Sequence, residues 1–147
     1  MESVLNNIKL KFDNDGFIVN ENLINQVDLE AIEKWISELN DSKEVNHHYE
    51  KTVNGKVLSR TENFVSSHTS FREFLLSSSI KDYLTMLFDD EPILFKEKIN
   101  YKYPGGAGYA PHQDAPAYPF GKKHITMLLA IDDSDINNGC LEFARGR

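Results

Sequence analysis

The chain has 147 residues, 40% of them hydrophobic and 27% charged, a size and balance that suit one soluble globular domain with a core of its own. A formal net charge of −7 excludes a general nucleic-acid binder, which needs a basic surface to meet phosphates. Cys140 is the only cysteine, so neither an intrachain disulfide nor a cysteine-rich zinc site is available.

The opening MESVLNNIKLKF lacks a basic stretch followed by an apolar one, and so does not read as a secretory signal. No apolar run approaches the roughly 18 residues of a membrane span, so an intracellular, cytoplasmic protein without a membrane partner is the expectation. GFIVNENLI, Gly16 to Ile24, reads as a short strand or extended entry. From Val27 to Leu39, apolar residues at Leu29, Ile32, Trp35, Ile36 and Leu39 fall on one helical face, with Asp28 a suitable N-cap. Asn54-Gly55, between His48–Thr52 and Lys56–Arg60, marks a hairpin because both residues tolerate positive φ. Two short helices follow near Ser70–Leu76 and Ser79–Phe88, each opened by a serine.

From Pro92 the pattern changes. Ile93 to Tyr103 alternates, with Ile93, Phe95, Ile99, Tyr101 and Tyr103 on one face and Leu94, Lys96, Lys98, Asn100 and Lys102 on the other. That is the period of a strand. HITMLLAI, His124 to Ile131, predicts a second, more deeply buried strand. A tight turn at Asn138-Gly139 leads into a third at Cys140–Phe143, where Cys140 is expected to be a small buried hydrophobe. Helices therefore precede antiparallel strands. The acidic run Ile131–Gly139 lacks the glycine and glutamate of an EF-hand and reads as a solvated turn. PGGAG, Pro104 to Gly108, has no following G-K-[ST] and is not a phosphate loop.

Within YAPHQDAPAY, His112 and Asp114 are two residues apart, so an extended segment points both to one side. An imidazole and a carboxylate suit a divalent ion, and two histidines with one carboxylate commonly hold Fe(II) with open positions. Pro111 and Pro116 would stiffen the segment. As a bare pattern H-x-D is weak, since most such pairs are ordinary surface residues. The strand before it adds Lys96, Lys98, Asn100 and Lys102, either a cationic cavity wall fit for an acidic small molecule or a solvated face.

FKEKINYKYPGGAGYAPHQDAPAY (Phe95–Tyr118) followed by HITMLLAIDDSDINNGCLEFARGR (His124–Arg147) closely resembles the phytanoyl-CoA dioxygenase family of non-haem Fe(II), 2-oxoglutarate-dependent oxygenases. DGFIV at Asp15–Val19 matches more loosely. The resemblance implies an α+β chain with a mainly β, double-stranded β-helix (jelly-roll) core. In that arrangement residues 1–91 form a helical N-terminal part, and 92–147 form the first half of the core of one incomplete domain. It implies His112 and Asp114 as iron ligands, with Asn100, Lys96, Tyr118 and the weaker Thr126 towards 2-oxoglutarate. Lys98 and Lys102 suit an anionic substrate, or are surface charges. Related halogenases lack the carboxylate ligand; Asp114 is present, which points to hydroxylation of a small molecule with Fe(II), 2-oxoglutarate and O2.

One departure stands against the family pattern. The distal histidine and the arginine that pairs with 2-oxoglutarate would lie beyond Gly146-Arg147, and His124, His47, His48 and His68 do not match that histidine. The expectation is therefore part of a longer enzyme, or a truncated, non-catalytic binding module without a third metal ligand.

Overall fold

The computed structural model describes residues 2–53, 55–104, 108–118 and 123–146. Asn54 of the expected hairpin turn, Gly105–Ala107 of the glycine loop and the final Arg147 lie outside the described residues.

Among the described residues, four α-helices and a small antiparallel sheet make an α+β architecture. The first helix, α1 (Glu2–Asp15), has no counterpart among the sequence expectations. Its apolar stripe is thin: Ile8 and Phe12 are half-buried while Leu5 and Leu10 are exposed, so the helical period is faint in the sequence. Gly16 ends it at φ 81, its N–H bonding Phe12 O at 2.9 Å, a left-handed cap that a side chain would resist. The residues after it, expected as a strand or extended entry, carry no ladder.

Helix α2 (Gln26–Leu39) lies where the apolar spacing puts it. Its cap, however, is Asn25, whose Oδ1 accepts the Asp28 N–H at 3.0 Å. Asp28 sits one turn inside, where its carboxylate meets the positive end of the helix dipole without closing the cap. Ile32 and Leu39 are buried with Val45, Phe64 and Phe71 in the main core, and Trp35 packs its ring against Phe71 at 5.3 Å.

The hairpin forms as expected. Strand β1 (Asn46–Thr52) pairs antiparallel with β2 (Gly55–Glu62), and β2 pairs on its other edge with the three-residue β3 (Lys98–Asn100). The register passes from His48↔Arg60 to Tyr49↔Leu58, leaving Ser59 as the extra residue of a bulge. That residue is not idle: Ser59 Oγ donates to His48 O, and Ser59 O accepts the Tyr101 N–H.

Helices α3 (Thr69–Leu75) and α4 (Ser78–Phe88) follow. The cap of α3 is His68 and not a serine; its Nδ1 accepts the Phe71 N–H at 3.2 Å and its Nε2 lies 3.0 Å from Glu38 Oε2. Ser77 precedes α4 with extended backbone but without a side-chain cap bond. Lys9 of α1 bridges Asp13 at 2.8 Å and Asp89, the left-handed C-cap of α4, at 3.0 Å.

The region from 92 onward departs from three full strands. Pairing is confined to Lys98–Asn100, and Ile93 and Phe95, on the apolar face of the alternation, are exposed. Over 124–131 the half-buried positions Ile125, Met127, Leu129 and Ile131 alternate with exposed Thr126, Leu128 and Ala130. Leu129 and Ile131 pack on the core. The period of a strand is thus present without a ladder, and its burial is one-sided and shallower than expected. Cys140 is half-buried outside any strand. Alternation reports which way side chains point, whereas a strand also needs a neighbour for its backbone. The described residues show one three-stranded sheet within an α+β arrangement and do not directly show a double-stranded β-helix.

Candidate metal and anion site

The H-x-D segment leads into a short 3-10 turn at Ala115–Ala117, closed by Ala117 N–H to Asp114 O at 3.0 Å. His112 Nδ1 lies 2.8 Å from Ala110 O. A carbonyl can only accept, so Nδ1 carries the proton, and in the neutral ring Nε2 presents its lone pair. Nε2 faces Asp114 Oδ1 at 3.6 Å, and the other carboxylate oxygen, Oδ2, accepts a 2.8 Å hydrogen bond from Thr126 Oγ1.

Each side chain is thus pinned by its outer polar atom, and two electron-rich atoms face one another across a gap. Such a gap favours a cation. Metal–nitrogen and metal–oxygen bonds run to about 2.0–2.2 Å, so both atoms can reach one ion between them. The donor set fits a divalent metal, and the carbonyl-bound Nδ1 is the usual way a ligand imidazole is oriented. Both side chains are reachable from solvent, His112 at 59% and Asp114 at 39% exposure. Among the described residues no group of three or more His, Cys, Asp or Glu side chains converges to hold an ion.

The other histidines are engaged elsewhere. His47 Nδ1 is 2.9 Å from Thr61 Oγ1, His48 Nε2 is 3.4 Å from Glu62, and His68 caps α3. Tyr118 lies between Phe95 and His124, with ring centroids at 5.4 and 5.8 Å. Lys102 Nζ donates to Gly139 O at 2.9 Å, which places it at the Asn138-Gly139 turn. Asp135 Oδ1 accepts the Asn137 and Asn138 N–H groups there, so the acidic run folds on itself as a turn. Gly139 has φ 87, a left-handed backbone that a side chain would strain, and a Cβ there would also displace the Lys102 ammonium that now stands over it.

Lys96, Lys98 and Asn100 belong to a larger surface than the alternation alone revealed. Register partners point to the same side of a sheet. His48, Arg60 and Asn100 therefore form one row across three strands, and Glu62 and Lys98 share the next row on that face. Glu62 is the hub: its side chain is only 12% exposed, and Arg60 Nε at 3.0 Å, Lys96 Nζ at 3.1 Å and His48 Nε2 at 3.4 Å surround its carboxylate. Burial alone pushes the Glu62 carboxyl up. The hydrogen bond from Lys96, with the charges of Arg60, Lys96 and His48, outweighs it and holds the group below the ordinary glutamate value. Neither Arg60 nor Glu62 was singled out from sequence; the i, i+2 spacing in RTE was the available signal, but it names a face only once the partner strand is known.

On the core side, Thr61 is fully buried and its hydroxyl joins His47 to Tyr101, at 2.9 and 3.2 Å. Tyr101 OH also reaches Asn40 Oδ1 at 3.4 Å. Burial pushes the Tyr101 phenol up, against the lowering effect of its bond to Thr61.

An α+β chain with helices ahead of an H-x-D segment is what the comparison with protein families places: residues 12–146 match the model described as phytanoyl-CoA dioxygenase (PhyH), and the chain belongs to that family. Among curated proteins it is 39% identical over 137 residues to a methylphosphonate hydroxylase of Gimesia maris, covering 90% of this chain and 53% of that protein. It is 38% identical over 146 residues to a 2-aminoethylphosphonate dioxygenase of an uncultured bacterium, with 94% and 56% covered. A third relative, dioxygenase lolE1 of Epichloe uncinata, is 34% identical over 125 residues, covering 81% of this chain and 48% of its own length. The chain spans about half the length of the curated relatives it matches. No solved structure matches it significantly. No helix among the described residues is long and apolar enough to cross a membrane.

Proposed function

We propose that the protein containing this chain is an Fe(II)- and 2-oxoglutarate-dependent dioxygenase that hydroxylates a small organic phosphonate, on a core of the double-stranded β-helix type. The observation that carries this reading is the facing pair His112 Nε2 and Asp114 Oδ1, 3.6 Å apart with their outer atoms pinned, inside a family match that spans nearly the whole chain. The names of two relatives support a phosphonate as substrate.

When bound, Fe(II) supplies the oxygen-activating chemistry, coupled to decarboxylation of 2-oxoglutarate to succinate. The chain's own residues divide the remaining work. His112 and Asp114 hold the metal. Asn100 and Tyr118 hold 2-oxoglutarate, and Lys96 holds the co-substrate or the substrate. Thr126 spends its hydroxyl on Asp114 Oδ2, so it acts first by fixing the carboxylate ligand. Lys98 shares the polar face with Asn100 and adds positive charge for an acidic substrate.

A second reading has a specific observation behind it: with two converging ligands among the described residues, the chain would be a non-catalytic binding module. The test is anaerobic Fe(II) titration of the 147-residue chain and of His112→Ala, then succinate assays with 2-oxoglutarate, O2 and methylphosphonate. Fe(II) binding by the chain that is lost in the variant is the expected result, with phosphonate-dependent succinate formed by the longer protein that contains it. Absence of both Fe(II) binding and succinate leaves the binding module.

A further inference from the structure

The polar face of the sheet carries more positive charge than its one buried carboxylate neutralises. Arg60, Lys96 and Lys98 stand with Glu62 on a chain whose overall charge is −7. Such a patch is a local field opposed to the whole molecule's, and it attracts small anions. The side chains of Arg60 and Lys96 are 35% and 40% exposed, although the Nε of Arg60 is buried against Glu62. Arg60 meets Glu62 through Nε, which leaves its terminal nitrogens for a second acceptor. Glu62, pinned by three groups from three segments, holds Arg60 and Lys96 in place as a buttress.

A guanidinium with terminal N–H groups in a fixed plane, beside an ammonium, is matched by a group with several anionic oxygens at tetrahedral spacing. A carboxylate engages two oxygens and one charge. A phosphonate offers three oxygens and more charge, and uses both cations. Asn100 stands beside Arg60 in the same row, so this anion would lie alongside the residue assigned to 2-oxoglutarate.

We propose that Arg60 and Lys96, oriented by Glu62, bind the phosphonate group of the substrate. This deepens the reading above and rests on it for the substrate's identity. The assignment moves Lys96 from co-substrate to substrate.

The experiment is calorimetric titration of the metal-free chain with methylphosphonate and, separately, with 2-oxoglutarate. Arg60→Met is expected to weaken methylphosphonate binding about tenfold or more while leaving 2-oxoglutarate unchanged. Arg60→Lys, which keeps the charge but loses the planar fork, is expected to fall in between, and it supplies the reading if the methionine variant does not fold. Three results overturn the proposal: no methylphosphonate binding by the unaltered chain, unchanged binding in both variants, or a parallel loss of 2-oxoglutarate. Because no metal is present, failure here is separable from failure of the iron reading, which the His112→Ala titration judges alone.

Discussion

Thr126 Oγ1 donates a 2.8 Å hydrogen bond to Asp114 Oδ2, tying the residue expected to contact 2-oxoglutarate to the carboxylate expected to hold the metal. The bond decides which carboxylate oxygen faces His112. Removing it lets the carboxylate rotate, so Thr126→Val is expected to weaken Fe(II) binding by about tenfold, the usual cost of losing a group that orients a ligand. Thr126→Ser keeps the hydroxyl and is expected to keep the affinity. Fe(II) titration of both variants checks this; equal affinities for valine and serine would refute it.

Glu62 makes the stability of the chain sensitive to acid. Its carboxyl lies below the ordinary 4.5 in the fold, so the unfolded chain takes up the proton first as pH falls. The stabilisation is complete above 4.5 and is lost progressively below it as pH passes through the folded value. Glu62→Gln is expected to remove that part of the acid dependence and to cost about 1–3 kcal/mol near neutrality, because Arg60 and Lys96 lose their counter-charge. Urea midpoints measured across the acid range in both proteins test the sign as well as the size.

Tyr101 provides the alkaline counterpart. Burial raises its phenol above the ordinary 10.0, so the stabilisation it confers is present below that pH and fades as pH rises past it. In an absorbance titration of tyrosinate, Tyr101→Phe is expected to remove a late component. An unchanged late component would place the buried phenol elsewhere.

The core should be unforgiving where α2 meets α3. Ile32 is 1% exposed and Phe71 4%, both within the same cluster. Ile32→Ala is expected to cost about 2–5 kcal/mol and Phe71→Ala about 3–5 kcal/mol in chemical denaturation. Ile32→Val, which deletes a single methyl group, should cost about 0.5–1.5 kcal/mol.

Helix α2, the hairpin and helix α4 were legible from sequence because their signals are local: apolar residues at helical spacing, and a glycine between two runs. The caps were less so. Asp28 and Asn25 are both good capping residues three positions apart, and only the backbone at Asn25, φ −92 and ψ 170, separates them. Ile93–Tyr103 was legible as an alternation and His124–Ile131 as an apolar run, yet only Lys98–Asn100 joins a ladder, since alternation is a property of one segment and pairing belongs to two. The H-x-D pair was legible because its members are neighbours in the chain. The Glu62 cluster was not, because His48, Arg60 and Lys96 come together only through the register of β1, β2 and the approach to β3.

Phe17 stacks on Phe143 with ring centroids 4.7 Å apart and planes 14° from parallel, and Gly146 N–H bonds Asp15 O at 3.1 Å beside them. These partners come from opposite ends of the sequence. During synthesis, α1, α2 and the hairpin can assemble as they leave the ribosome, yet Phe17 waits until Phe143 has emerged. Until then an aromatic ring stays uncovered on a nascent chain, where it can be bound by a chaperone or by another copy. Pairing with Phe143 thus comes late relative to the assembly of α1, α2 and the hairpin, and a translation pause before Phe143 would prolong the interval in which Phe17 stays uncovered.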